Sequence, residues 1–292
     1  MRILFVFVLV FSLYSLSAQN APLLLDAAYL NPDGKSWALI DTLSDEFNDG
    51  ANFDTDKWLT SPETYTNWKG RIPGIFAREA ISVENGDLRI RASKLADSIP
   101  VMDNGVQKYW THQGGLVRSR EQGRYGMYVE CRMKANQTFM SSTFWLINVS
   151  WQAGTGCERR VTELDIQECV GTVTNTDNWS QSFDQSMHSN THDRRPANMG
   201  CPPNASAGNN VDLDQGKVYD DYHVYGAWWK SPTEVLFFLD GELQYTVTPP
   251  SLFNQPMHVM MVVETYNWNP RMDGEDGMEK PEAWKTTAPE SC

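Results

Sequence analysis

The sequence predicts an all-β sandwich or jelly roll, and three observations carry that expectation. Apolar residues recur with a period of two, turn residues punctuate many short runs, and no helix-length window shows a clear amphipathic pattern. Strand side chains point alternately to opposite faces, so this period lets one face take the core. Many short strands with turn signals between them suit a sandwich or jelly roll.

The elements follow in chain order. Ser82 to Ala92 places Asn85-Gly86-Asp87 between two short runs, a hairpin signal. From Tyr125 to Lys134, Tyr128, Glu130, Arg132 and Lys134 alternate with Met127, Val129, Cys131 and Met133. Asp193 to Gln215 is rich in Asn, Gly, Pro and Ala and reads as a long loop, either functional or disordered. In the adjacent pair Trp228-Trp229, one residue of a strand must face inward. Val235–Leu239 and Leu243–Val247 flank Asp240-Gly241, a stronger hairpin signal. Met257 to Glu264 is almost unbroken in its apolar character, as in a strand covered on both faces.

The ends and the composition bound the setting. Arg2, an apolar run from Ile3 to Tyr14, and small residues at Ser15, Ser17 and Ala18 read as a signal peptide over residues 1–18. The run is too short to span a bilayer. A secreted protein is therefore expected, with the medium, the periplasm and the cell surface left open as destinations. Residues 19–292 are expected to form a single β-sandwich domain, and a monomer. A net charge of −13 argues against nucleic acid as a partner. The five cysteines are odd in number and define no disulfide framework, and their spacing suggests no zinc site. Several of the eleven tryptophans sit among polar residues, among them Trp68, Trp110, Trp145, Trp179 and Trp268. A sugar ring presents C–H groups to an aromatic plane while its hydroxyls reach polar neighbours, so such residues suit a sugar cleft; core packing is the alternative.

Val161 to Cys169 carries the chemistry. On a strand, Glu163 and Asp165 share one face, whereas regular alternation would send Glu168 into the core. A lone buried carboxylate there is costly. A β-bulge near Ile166-Gln167 would return Glu168 to the side of Glu163. Three carboxyl groups would then line one floor, and retaining glycoside hydrolysis needs two about 5–5.5 Å apart. An ionised neighbour raises the pKa of the next acid and keeps it protonated. Taken on spacing alone, an exposed acidic edge strand and a calcium-binding patch stay open as alternatives.

ELDIQE resembles the bulged ExDxxE signature of glycoside hydrolase family 16, as carried by its agarases, porphyranases and κ-carrageenases. The resemblance extends through DEFN (Asp45–Asn48), NWKGRIPGIF (Asn67–Phe76), VENGDLRI (Val83–Ile90) and the segment Gly114–Ala135. It continues in FWLIN from Phe144, QSMHSNTH ending at His192, YHVYGAWW from Tyr222 and VVETYNWNP from Val262. It implies a β-jelly-roll sandwich (concanavalin A-like) with an open cleft on the concave face, and endo-cleavage of β-linked glucans or galactans with retention. Glu163 would be the nucleophile, Glu168 the acid/base and Asp165 the helper between them. Trp68 and Trp145 would stack sugars, and Arg71, His192, Glu264 and Trp268 would contact the substrate. GRIPGIF, SMHSNTH and VVETYNWNP look closest to β-agarases, which cut β-1,4 bonds of agar, and net acidity favours that neutral substrate. Porphyranases accept L-galactose-6-sulfate; their sulfate pocket needs cations, for which Arg194 and Arg195 are candidates.

No cofactor or metal is expected at the catalytic centre. A structural calcium occurs in many relatives. An aspartate that helps bind it belongs to a last strand ending in a YDWVR-like segment. Here the chain runs from Trp284 to Ala-Pro-Glu-Ser-Cys292 instead, so that strand is expected to be lacking. A non-catalytic carbohydrate-binding jelly roll is the rival from another class, and the joint presence of the three acids argues against it.

Overall fold

The computed structural model describes residues 25–30, 34–48, 53–60, 68–148, 155–196 and 199–271. The expected signal peptide and the C-terminal segment in which a last strand is expected to be lacking lie outside the described residues. Sixteen strands are present among the described residues. The first eight are β1 (Trp58–Thr60), β2 (Gly70–Arg71), β3 (Gly74–Phe76), β4 (Ile81–Glu84), β5 (Asp87–Ile90), β6 (Ser93–Asp103), β7 (Val106–Gly123) and β8 (Met127–Met133). The others are β9 (Ser141–Ile147), β10 (Val161–Val170), β11 (Ser186–Arg194), β12 (Ala205–Asp212), β13 (His223–Ser231), β14 (Glu234–Leu239), β15 (Glu242–Val247) and β16 (Met257–Val263). The only α-helix there is one turn, Ala27–Leu30.

These strands make the expected all-β sandwich. A ten-stranded sheet runs β12-β11-β10-β9-β16-β7-β3-β2, with β1 and β6 also paired to β7. A four-stranded sheet runs β15-β14-β13-β8. Between them lies the main core. The large sheet contributes Phe144, Leu146, Leu164, Ile166, Met187, Val259 and Met261, and the small sheet Met133, Tyr225, Trp229, Phe237 and Val247. Each large side chain fully buried here contributes about 1.5–3 kcal/mol, so this layer holds the two sheets together.

The predicted hairpins form where the turn residues stand. Asn85-Gly86 and Asp240-Gly241 all adopt positive φ, as tight two-residue turns require. In β8, Met127, Cys131 and Met133 face the core as the alternation predicts. Trp229 is fully buried, while Trp228 packs on the outer face of the small sheet beside Trp37 and Phe238.

All seven residues of β16 are buried. Its alternate residues serve two layers: Met257, Val259, Met261 and Val263 join the main core, and Met260 and Val262 join a second cluster on the opposite face. That second cluster adds Phe76, Leu116, Trp145, Ile147 and Val161, with Trp68 packed against it. The unbroken apolar run is thus the sequence mark of a strand with two cores.

The Asn/Gly/Pro-rich segment is not one long loop. β11 continues through Arg194, and β12 pairs with it along its whole length. A disulfide joins Cys157 to Cys201 across this edge, and Cys169 is a buried free thiol. Among the described residues no helix is long and apolar enough to cross a membrane.

Candidate active site

β10 lies between β9 and β11, and its pairing decides where the acids point. Opposite β9, Glu163 faces Ile147 and Asp165 faces Trp145; the register then slips, so that Gln167 faces Phe144 and Glu168 faces Thr143. The bulge therefore falls at Ile166, where the acid spacing requires it. Leu164, Ile166 and Cys169 enter the main core. Gln167 is also buried on that side, donating to Ser186 O (3.1 Å) and accepting from the His188 amide (2.9 Å). Glu168 is released to the other face, with Glu163 and Asp165.

β11 supplies the counter-charges. His192 pairs with Glu163 in register, and its Nε2 lies 3.3 Å from Asp165 Oδ2 and 3.9 Å from Glu163 Oε1. Arg194 donates from Nη1 to Glu163 Oε2 (2.6 Å) and from Nη2 to Oε1 (2.7 Å), a two-pronged ion pair. From the segment after β16 comes Tyr266, whose hydroxyl lies 3.0 Å from Thr143 Oγ1 and close enough to Glu168 to oppose the rise of its pKa.

Burial sorts the acids. Asp165 is pushed up to about 6, first by burial and then by the charge of Glu163, with His192 and Arg194 opposing. Glu168 is pushed up to about 8, first by burial and then by the charge of Asp165, with Tyr266 opposing. A carboxyl group at that level keeps its proton near neutrality and can act as a general acid. For His192, burial alone would lower the pKa, but the bond to Asp165 and the charges of Asp165 and Glu163 raise it.

The other expected contacts divide into two places. Trp145 sits beside Asp165 and is only 6 % exposed; its indole nitrogen has no protein acceptor. Trp68 packs edge-on to Phe76, and the Arg71 guanidinium lies 5.8 Å from its ring and 5.3 Å from that of Tyr266. Arg71 also lies 3.1 Å from Glu264, a carboxyl pushed up to about 7 by burial, with Arg71 opposing. The turn that carries Arg71 is tied down by Thr265, whose hydroxyl accepts from Gly74 N (3.1 Å) and donates to Arg71 O. A Cβ at Gly74 would fall 2.8 Å from Thr265 Cγ2, so only glycine permits this approach.

Trp268 belongs to a second aromatic group, stacked on Tyr266 (5.2 Å) and packed against Phe183 (4.7 Å) and the exposed Trp179 (5.1 Å). Asn269 fixes this segment by donating to Phe139 O (2.8 Å) and accepting from Thr174 N (2.7 Å). His188 stacks on Phe183 and is held neutral, its pKa lowered to about 4 by burial.

Tyr266 and the bond between Arg194 and Glu163 were missed from the sequence. A tyrosine in an aromatic-rich segment gives no sign of its partner, and Arg194 and Arg195 were only candidates for a substrate sulfate. In this structure both are engaged within the protein, Arg194 by Glu163 and Arg195 by Asp193 (Nη2–Oδ2 2.5 Å) and Cys157 O (2.8 Å).

Glu163, Asp165 and His192 bring ligand atoms within 4.8 Å of one another. The set does not fit calcium, which takes six to eight oxygens, because an imidazole is one member and Arg194 holds both oxygens of Glu163.

An all-β sandwich whose large sheet carries three clustered carboxyl groups on a bulged strand defines the class. A family model described as the GH16 domain of β-porphyranases A–D matches residues 37–288, and the chain belongs to glycoside hydrolase family 16. The chain is similar to β-porphyranase B of Zobellia galactanivorans, with 46% identity over 270 residues, 92% of this chain and 88% of that protein. The crystal structure of that porphyranase superposes with a TM-score of 0.76, covering 86% of this chain and 89% of the other. Similarity to a β-agarase of Phocaeicola plebeius is lower, 28% over 230 residues, covering 74% of this chain and 67% of that protein. The relatives favour the porphyranase alternative over the agarase reading.

Proposed function

We propose that the chain is an exported endo-hydrolase that cuts β-1,4 bonds of sulfated agaran, a porphyran-type galactan, with retention. The observation that carries this reading is the 46% identity to β-porphyranase B along nearly the whole chain, together with three acids clustered on one bulged strand. Glu163 attacks the anomeric carbon while Glu168 gives its proton to the departing glycosidic oxygen. Water then attacks the glycosyl ester, Glu168 takes its proton, and the Glu163 carboxylate leaves. Asp165, between them, bonds His192 and keeps negative charge beside Glu168, which favours the protonated acid.

Arg71 supports the sulfated substrate. Its guanidinium is 40% exposed, stands beside Trp68, and faces a carboxyl of raised pKa, so its positive charge is only partly compensated. A sulfate ester wants such a planar donor set. Reducing-sugar release from porphyran, agarose, κ-carrageenan and laminarin, measured in parallel, tests the reading. Release mainly from porphyran is expected. Release from agarose alone would return the substrate to neutral agar, and no release by a folded protein would favour a binding protein.

A further inference from the structure

Two consecutive arginines end the β11 edge, and the structure gives them opposite surroundings. Arg195 is 15% exposed and is built into the edge through Asp193 and the Cys157 carbonyl. Its amide donates to Asn204 Oδ1 (2.8 Å), and the Cys157–Cys201 disulfide closes the same corner. Arg194 stands on this braced base, paired with Val161 in register, and is 41% exposed. Its guanidinium reaches across to Glu163 alone, through both nitrogens and both oxygens.

The charge around Glu163 explains why a cation is needed there. Asp165 and Glu168 share its strand, and Glu264 adds a third carboxyl from beyond β16, with Arg71 on its far side. β9 faces it with Ile147 and the neighbouring Trp145, neither of them charged. From β11 come His192 and Arg194. A retaining nucleophile must be ionised and must hold one rotamer. A guanidinium fork does both, because it pairs with one lone pair of each oxygen and leaves another free for attack.

We propose that Arg194 is a positioning residue for the nucleophilic carboxylate: it fixes the orientation of Glu163 and supplies the positive charge that lets Glu163 stay ionised among its acidic neighbours. The same contact stabilises the carboxylate as it leaves the glycosyl ester in the second step. This rests on the assignment of Glu163 as nucleophile, which is tested separately. Glu163→Ala with added azide should give a glycosyl azide of inverted anomeric configuration; if Glu163 is not the nucleophile none forms, and both claims fall.

Given that product, Arg194→Ala and Arg194→Lys decide the role of the arginine. Arg194→Ala should lower kcat by about ten- to hundredfold with little change in KM. Arg194→Lys should keep part of the activity. The acid limb of the kcat/KM profile, which reports the carboxylate cluster as a whole, should move to higher pH. Guanidinium ion, added below the concentration that unfolds the protein, should restore turnover to Arg194→Ala but not to Glu163→Gln. An unmoved acid limb without guanidinium rescue would overturn the proposal. So would a rise in KM for porphyran alone at unchanged kcat, which would make Arg194 a substrate-sulfate ligand instead.

Discussion

The two faces of the large sheet are built from the same strands but obey different rules. On the face towards the small sheet, Leu164, Ile166, Leu146, Phe144 and Met261 are packed into a continuous apolar layer. On the other face the same strands display Glu163, Asp165, Glu168, His192 and Arg194 beside Trp145, Met260 and Val262. The first face lowers free energy by removing apolar surface from water. The second buries carboxyl groups, which is unfavourable unless they are paired or protonated. Asp165 and Glu168 show that cost as raised pKa values. The difference teaches that stability and chemistry are separated across one β-strand, at a distance of a single residue.

That separation can be broken from either side. The largest effect is expected on the acid face. Glu163→Gln and Glu168→Gln should each lower turnover by on the order of 10²–10⁴-fold while the fold is retained, as checked by initial rates and circular dichroism. The opposite pattern is expected one residue away. Leu164→Ala opens the main core and should cost about 2–5 kcal/mol of stability, seen in chemical denaturation, while kcat of the folded fraction stays close to that of the parent.

Proton linkage sharpens the comparison further. Glu168 must carry its proton to act as the acid, so kcat/KM should fall about tenfold per pH unit once pH passes the region of 8. The stability effect is smaller and follows from the same shift. Folded Glu168 keeps its proton up to about 8, whereas the unfolded chain loses it near the ordinary 4.5. Between those values the native state binds more protons, so its stability declines as pH rises. Glu168→Gln lacks that group, and its melting temperature relative to the parent should climb across this window. A constant difference at all pH values would mean that Glu168 is not a buried, protonated acid.

Much of this was legible in the sequence where local pattern and tertiary need coincide. The bulge at Ile166 was readable because Glu168 had no acceptable place in the core. β16 was readable because an apolar run without alternation implies two cores. Asn85-Gly86 and Asp240-Gly241 announced their turns through residues that tolerate positive φ. Contacts made across the fold were not legible. The approach of Tyr266 to Glu168 and the grip of Arg194 on Glu163 depend on how distant segments are brought together. The segment from Asp193 to Gln215 misled for a related reason: β12 is a mostly exposed strand rich in Ala, Asn and Gly, whose pairing with β11 leaves little apolar trace. The choice between the two galactanase groups is favoured by identity along nearly the whole chain rather than by short motifs.

The central claim is that Glu163 and Glu168 act as nucleophile and acid/base on one β-linked galactan bond. Proton NMR of the anomeric signal, recorded in the first minutes of porphyran hydrolysis, tests it most directly. The account predicts that the β-anomer of the new reducing end appears first and then equilibrates with the α-anomer. Initial release of the α-anomer would mean single displacement by water, and would contradict the assignment of Glu163 as a nucleophile.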